Sequence, residues 1–229
     1  MAMPLTPRPG TGLRFIPGFL SRETQERLIA QLREVVRHAP LFTPVMPGTG
    51  KPFSVRMTNC GPLGWVSDAG GYRYQAAHPQ TGEPWPPIPE TLLHAWAELA
   101  DYPDPPQACL VNYYGPAARM GLHQDRDEED FTAPVVSFSL GATCLFRIGG
   151  TTRGAPTGSF PLTSGDVVVL AGASRLAFHG VDRILAGTST LVPDGGRINL
   201  TLRRVDRPTT QRRDGAITQT TTTPRGAGS

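Results

Sequence analysis

Arg197-Ile198-Asn199-Leu200-Thr201-Leu202-Arg203 alternates polar and apolar side chains without a break. Successive side chains of an extended segment point to opposite sides, so Ile198, Leu200 and Leu202 share one face and Arg197, Asn199, Thr201 and Arg203 the other. The plain expectation for such a strand is a polar face turned to water. Working outward, short β-rich runs punctuated by glycine cover 108–114, 135–140, 144–148, 166–170 and 175–178, and the quoted stretch itself extends over 198–205. Val111-Asn112-Tyr113-Tyr114 repeats the pattern with Asn112 and Tyr114 on a common face, and Ser137 and Ser139 alternate with Phe138 and Leu140. Several strands that each pair an apolar face with a polar one describe a sandwich whose interior can hold a ligand.

The first half of the chain has a different period. Leu28, Ile29, Leu32, Val35 and Val36 recur at helical spacing after Ser21 and stop before Pro40. A second helix is expected over 90–100, with Leu92, Leu93, Trp96 and Leu99 on one face. Helices first and strands later predict an α+β chain whose second half is a double-sheet β-fold. With 229 residues and 38% hydrophobic content there is room for one sizeable core, and a second full domain would be cramped.

Lys+Arg 22 against Asp+Glu 19 gives a formal charge of +3, which permits contact with phosphates without arguing for it. Cys60, Cys109 and Cys144 are widely spaced with no CxxC pair, so neither a disulfide framework nor a cysteine zinc site is indicated. That pattern fits a reducing compartment. The N-terminus lacks a secretory apolar stretch, and runs such as 167–170 are too short to span a bilayer, so a cytoplasmic protein is expected. Beyond Val205, residues 206–229 are threonine-rich and poor in large apolar side chains, which predicts a flexible basic tail. Its Arg207, Arg212, Arg213 and Arg225 are most simply solvated.

The chemistry centres on Leu122-His123-Gln124-Asp125, with His179 lying 54 positions after the aspartate. On an extended segment His123 and Asp125 face the same side and can converge on one ion. A third ligand from His179 would complete two imidazoles and one carboxylate, the arrangement of non-haem iron(II) oxygenases. In a chain with this many His and Asp, an H-x-D pair arises by chance roughly 0.2 times, so the pair needs company. The polar face of 197–203 supplies it. A cosubstrate with two carboxylates calls for guanidinium groups at its end remote from the metal, because their planar fork matches a carboxylate and lysine does not. Asn112 and Tyr114 could hydrogen-bond the same anion.

Taken together, these segments resemble the AlkB-type iron(II)- and 2-oxoglutarate-dependent DNA repair dioxygenases of bacteria. The matching motifs are Met57-Thr58-Asn59-Cys60-Gly61, Leu63-Gly64-Trp65, Gly71-Tyr72-Arg73-Tyr74, His78-Pro79-Gln80-Thr81, Asn112-x-Tyr114 and Leu122-His123-Gln124-Asp125-x-Asp127-Glu128. Gly165-Asp166-Val167-Val168-Val169, Ser174-Arg175-Leu176, His179-Gly180 and Arg197-x-Asn199-Leu200-Thr201-x-Arg203 close the series in the family's order. The resemblance implies that His123, Asp125 and His179 bind iron(II), and that Asn112, Tyr114, Arg197, Asn199 and Arg203 contact 2-oxoglutarate. It implies that Trp65, Tyr72, Asp127 and Arg153 meet the damaged nucleotide. The implied fold is a single domain over 1–205. It consists of a double-stranded β-helix, or jelly-roll, core at about 107–205, supported by N-terminal helices and covered by a nucleotide-recognition lid at about 50–80. Two departures from the founding member stand out: Leu170 replaces a tryptophan and Tyr113 an arginine.

The implied reaction consumes dioxygen and 2-oxoglutarate, gives succinate and carbon dioxide, and hydroxylates an N-methyl group that then leaves as formaldehyde. The implied substrate is 1-methyladenine or 3-methylcytosine in DNA, preferably single-stranded, with RNA as a further candidate, acted on by a monomer with no membrane contact. Such lesions are cationic, and Asp127, two residues beyond Asp125, would favour the cation. A base that cannot pair is also cheaper to extrude, and Trp65, Tyr72 and the His123 ring could stack on it. Two other readings stay open at this point: an oxygenase of the same class with an RNA, protein or small-molecule substrate, and a non-catalytic binding module on the same fold.

Overall fold

The computed structural model describes residues 12–208. In chain order the elements are β1 (Leu13–Ile16), α1 (Arg22–His38), β2 (Arg56–Cys60), β3 (Gly64–Asp68), β4 (Gly71–Gln75), α2 (Glu90–Leu99) and β5 (Ala108–Tyr114). They continue with β6 (Met120–His123), β7 (Val135–Gly141), β8 (Thr143–Ile148), β9 (Gly158–Leu162), β10 (Val167–Leu170), β11 (His179–Leu185) and β12 (Arg197–Arg203). A six-stranded sheet runs β1-β10-β7-β12-β5-β2, a four-stranded sheet runs β6-β11-β8-β9, and β3 and β4 form a separate hairpin. Every pairing is antiparallel. This is the expected jelly roll with supporting helices.

The quoted alternating stretch is β12, an interior strand whose Leu200 lies opposite Val111 on one side and Phe138 on the other. Its apolar face, Leu200 and Leu202, is wholly buried with Leu28, Leu32, Leu92 and Trp96 of the two helices. Its polar face is buried too, with Arg197 1% and Arg203 6% exposed. The plain expectation of a solvated polar face fails because the four-stranded sheet covers it. Leu110, Phe146, Leu162, Val168 and Val181 form a second core between the sheets, and the polar groups of β12 share that interior.

Local chemistry sets the ends of α1. Ser21 accepts a hydrogen bond from the Thr24 N–H at 3.2 Å, the N-cap a serine favours, and Arg37 and His38 sit where the helix dipole welcomes basic groups. The lid expected at about 50–80 is divided. Its β2 belongs to the six-stranded sheet, with Met57 opposite Asn112, and only β3–β4 stands apart. Residues 175–178, expected as a strand, are a turn following a 3₁₀ segment. There the buried Arg175 donates to the Ala133 and Asp125 carbonyls, bonds an extended ladder would not supply. The three cysteines are free and buried. Among the described residues no helix is long and apolar enough to cross a membrane. Arg212, Arg213 and Arg225 lie outside the described residues.

Candidate active site

Where β11 meets β6, His179 is the register partner of His123. Gly180 makes the approach possible: a Cβ there would lie 2.6 Å from the Met120 carbonyl oxygen and 2.9 Å from that of Gly121. The imidazole centroids are 4.5 Å apart. Each ring uses Nδ1 on the carbonyl two residues earlier, His123 on Gly121 and His179 on Ala177, both at 2.9 Å. A carbonyl only accepts, so Nδ1 carries the proton and Nε2 is left with its lone pair. Asp125 follows in the loop after β6, not on the strand itself, and still lies between the two Nε2 atoms. Its Oδ1 is 3.8 Å from that of His123 and its Oδ2 is 3.7 Å from that of His179.

The electrostatics of this trio suit a divalent cation. The ligand atoms all fall within 4.8 Å of one another. Asp125 Oδ2 is buried without a hydrogen-bond partner, an arrangement that is costly unless a positive centre meets it. Burial opposes ionisation of Asp125, but the permanent charge of Arg203 leads the neighbours that outweigh it and hold the carboxyl below its ordinary range. Burial and the neighbouring His123 push His179 down to about 4, so it is neutral at pH 7 and free to ligate. Two imidazoles and a carboxylate clustered at one point fit an octahedral iron(II) with open positions.

One cavity of about 770 Å³ collects all twelve residues singled out from the sequence: Asn112, Tyr114, His123, Asp125, His179, Arg197, Asn199, Arg203, Trp65, Tyr72, Asp127 and Arg153. Arg197 lies over the Tyr114 ring, its Cζ 5.2 Å from the centroid, and donates to Ser139 Oγ at 2.7 Å. Its Nε and Nη1 are buried without partners, and no acidic side chain pairs with it among the described residues. A buried cation with two free donors in a cavity is a receptor for an anion. Asn112 Oδ1 is likewise unpartnered, while Asn199 donates to Ser137 Oγ at 2.7 Å. The two arginines do not share the end remote from the metal, as the sequence suggested. Their Cα atoms stand about 20 Å apart along β12, both side chains reach into the one cavity, and Arg203 binds Asp125 Oδ1 at 2.8 Å beside the histidines.

At the mouth, Trp65 stacks on Tyr72 with centroids 5.5 Å apart and donates through Nε1 to Asp127 Oδ2 at 2.8 Å. Arg153 lies over the Phe178 ring, 5.2 Å from its centroid. Sequence reasoning gave no role to Tyr74, Glu128 or Arg175, which bond to one another and to Arg203 behind this mouth. Tyr74 and Glu128 lie in the quoted motifs beside Tyr72 and Asp127, which was the available signal.

A jelly roll whose interior brings a buried anion receptor into one cavity with two histidines and an aspartate defines a class of oxygenase. The chain belongs to the 2OG-Fe(II) oxygenase superfamily, whose family model matches residues 12–203. Within it the chain is similar to the alpha-ketoglutarate-dependent dioxygenase AlkB homolog of Caulobacter vibrioides, 55% identical over 89% of this chain and 91% of that protein. It is also similar to alpha-ketoglutarate-dependent dioxygenase AlkB of Escherichia coli, 45% identical over 78% of this chain and 84% of that one. The solved structure of OsALKBH1 superposes with a TM-score of 0.70 at 32% identity, covering 87% of this chain and all of that one. The branch is therefore the AlkB-type dioxygenases, with iron(II) as cofactor and 2-oxoglutarate and dioxygen as cosubstrates.

Proposed function

We propose that the chain oxidatively demethylates alkylated bases in nucleic acid, with 1-methyladenine and 3-methylcytosine in single-stranded DNA as first substrates and RNA as a further one. The observation that carries the reading is that the aromatic hairpin residues Trp65 and Tyr72, and the acid Asp127, open onto the same cavity as the two histidines and Asp125. A planar cation can stack on the rings and meet the carboxylate there, with its methyl group directed toward the metal end. An enclosed pocket of this kind takes an extruded base, and extrusion is easiest from a single strand. The three free, buried thiols support a reducing, cytoplasmic location.

In this reading His123, Asp125 and His179 hold iron(II) by the two Nε2 atoms and a carboxylate oxygen. Arg197, with Asn112, Tyr114 and Asn199 around it, receives the far carboxylate of 2-oxoglutarate. Arg203 faces the near carboxylate while bracing Asp125. Bound iron supplies the oxidation, coupling dioxygen and 2-oxoglutarate to hydroxylation of the methyl carbon. The residues hold the base, place its methyl group and exclude water. The hydroxymethyl product is a hemiaminal that releases formaldehyde, leaving the base with its pairing edge restored. Arg153, at the mouth, is the further contact to the damaged nucleotide in this reading. The lid and core together form one domain ending near residue 205. The test is a formaldehyde and succinate assay with iron(II), 2-oxoglutarate and a methylated oligonucleotide. Equal release of both products is expected, and 2-oxoglutarate turnover with no formaldehyde would overturn the substrate assignment.

A further inference from the structure

Trp65 and Tyr74 are register partners across the β3–β4 hairpin, and their side chains reach two adjacent acids of a single loop. Trp65 Nε1 donates to Asp127 at 2.8 Å, and the Tyr74 hydroxyl donates to Glu128 Oε1 at 2.5 Å. The two contacts are not equivalent. Asp127 lines the mouth, whereas Glu128 is 5% exposed and backed by Arg175, which donates to its Oε2 at 3.1 Å. The phenol has a second partner. Arg203 Nη1 donates to the Tyr74 oxygen at 3.1 Å, and the same guanidinium donates from Nη2 to Asp125 at 2.8 Å. Arg203 Nε lies 3.6 Å from Glu128 and is buried without a hydrogen bond. Two acids, Asp125 and Glu128, thus balance two bases, Arg175 and Arg203, and the phenol is the one hairpin group that bonds into that set among the described residues.

We propose that Tyr74 and Glu128 are positioning residues that couple the β3–β4 hairpin to the cosubstrate pocket: the hairpin is latched by the phenol that also orients Arg203. A phenol has one proton to donate and takes the guanidinium N–H on its oxygen, so the Glu128–Tyr74–Arg203 chain has only one sense. Lifting the hairpin withdraws a partner from Arg203 and leaves a buried guanidinium short of acceptors. Filling the pocket near Arg203 strengthens the other end of the chain. Retention of 2-oxoglutarate and seating of the hairpin are therefore linked, and by reciprocity each favours the other equally. This rests on the assignment of Arg203 to 2-oxoglutarate made above.

The test uses the full chain loaded with zinc, which binds 2-oxoglutarate without turnover. Tyr74→Phe removes a single oxygen and keeps the ring. Loss of a hydrogen bond to a charged group predicts roughly a tenfold weaker 2-oxoglutarate affinity by calorimetry. In the native protein, 2-oxoglutarate should slow amide exchange across residues 64–75, and in Tyr74→Phe that response should vanish. In iron-loaded enzyme the Michaelis constant for 2-oxoglutarate should rise more than kcat falls. Glu128→Gln, which keeps an acceptor for the phenol but loses the charge, should weaken 2-oxoglutarate binding while the hairpin still responds to it. Native affinity and a native exchange response in Tyr74→Phe would overturn the coupling. So would a hairpin that exchanges faster to the same extent with and without cosubstrate. Arg203→Met separates the two levels: if it leaves 2-oxoglutarate affinity unchanged, the assignment of Arg203 fails, and if it abolishes binding while Tyr74→Phe does nothing, only the latch fails.

Discussion

Asp125 gives Oδ1 to Arg203 and turns its unpartnered Oδ2 toward His179, so its removal has two separable effects. Asp125→Ala and His123→Ala should both abolish iron binding and formaldehyde release. They should differ in stability. Asp125→Ala strands a buried guanidinium and is expected to cost about 3–5 kcal/mol, whereas the His123 side chain is 40% exposed and its loss should cost far less. Denaturant titration of the metal-free variants checks this, and equal midpoints would contradict the shared role of Asp125. Arg197→Lys keeps the charge but loses the planar fork over Tyr114. It should raise the Michaelis constant for 2-oxoglutarate at least about tenfold and leave that for methylated DNA nearly unchanged, as succinate and formaldehyde titrations would show.

Gly180 lets β11 lie against β6, and its role is testable in the pairing of those strands. Gly180→Ala forces the β6 backbone away and His123 with it, so metal affinity should fall by an order of magnitude or more, alongside overpacking of about 1–3 kcal/mol. Metal titration of a variant that melts normally yet binds normally would exclude that role. The elements that could be foreseen are those with a long clean period: α1, α2, β5, β7, β8 and β12 lie where the side-chain pattern put them. Those that escaped are short or chemically mixed. β6 has four residues, β9 contains Pro161, and the Asp182-Arg183 pair interrupts β11. Arg175-Leu176-Ala177-Phe178 has the composition of a short β-rich run, but a buried arginine bonded to loop carbonyls governs it. For the site, His123, Asp125 and His179 were identifiable by type and spacing. The depth of Arg203, its bond to Asp125 and the Tyr74–Glu128 contact depend on tertiary neighbours that no local pattern encodes.

Across the molecule, the six-stranded sheet divides labour between its faces. The helix side is a hydrophobic core, and the side toward the second sheet carries the polar groups of the cavity. Leu200→Ala, on the helix side, should therefore lower stability by about 2–5 kcal/mol while kcat/KM measured well below the melting temperature stays within about twofold, because its side chain packs against the helices on the face turned away from the cavity. A comparable loss of turnover would mean that the two faces communicate. The histidines are held in yet another way. Both are oriented by main-chain oxygens, of Gly121 and Ala177, and no amino-acid exchange removes a carbonyl. If the proposed roles hold, variation can rework the hairpin while the aim of the imidazoles is inherited with the backbone, leaving this scaffold free to change what it accepts without relearning how to hold an ion.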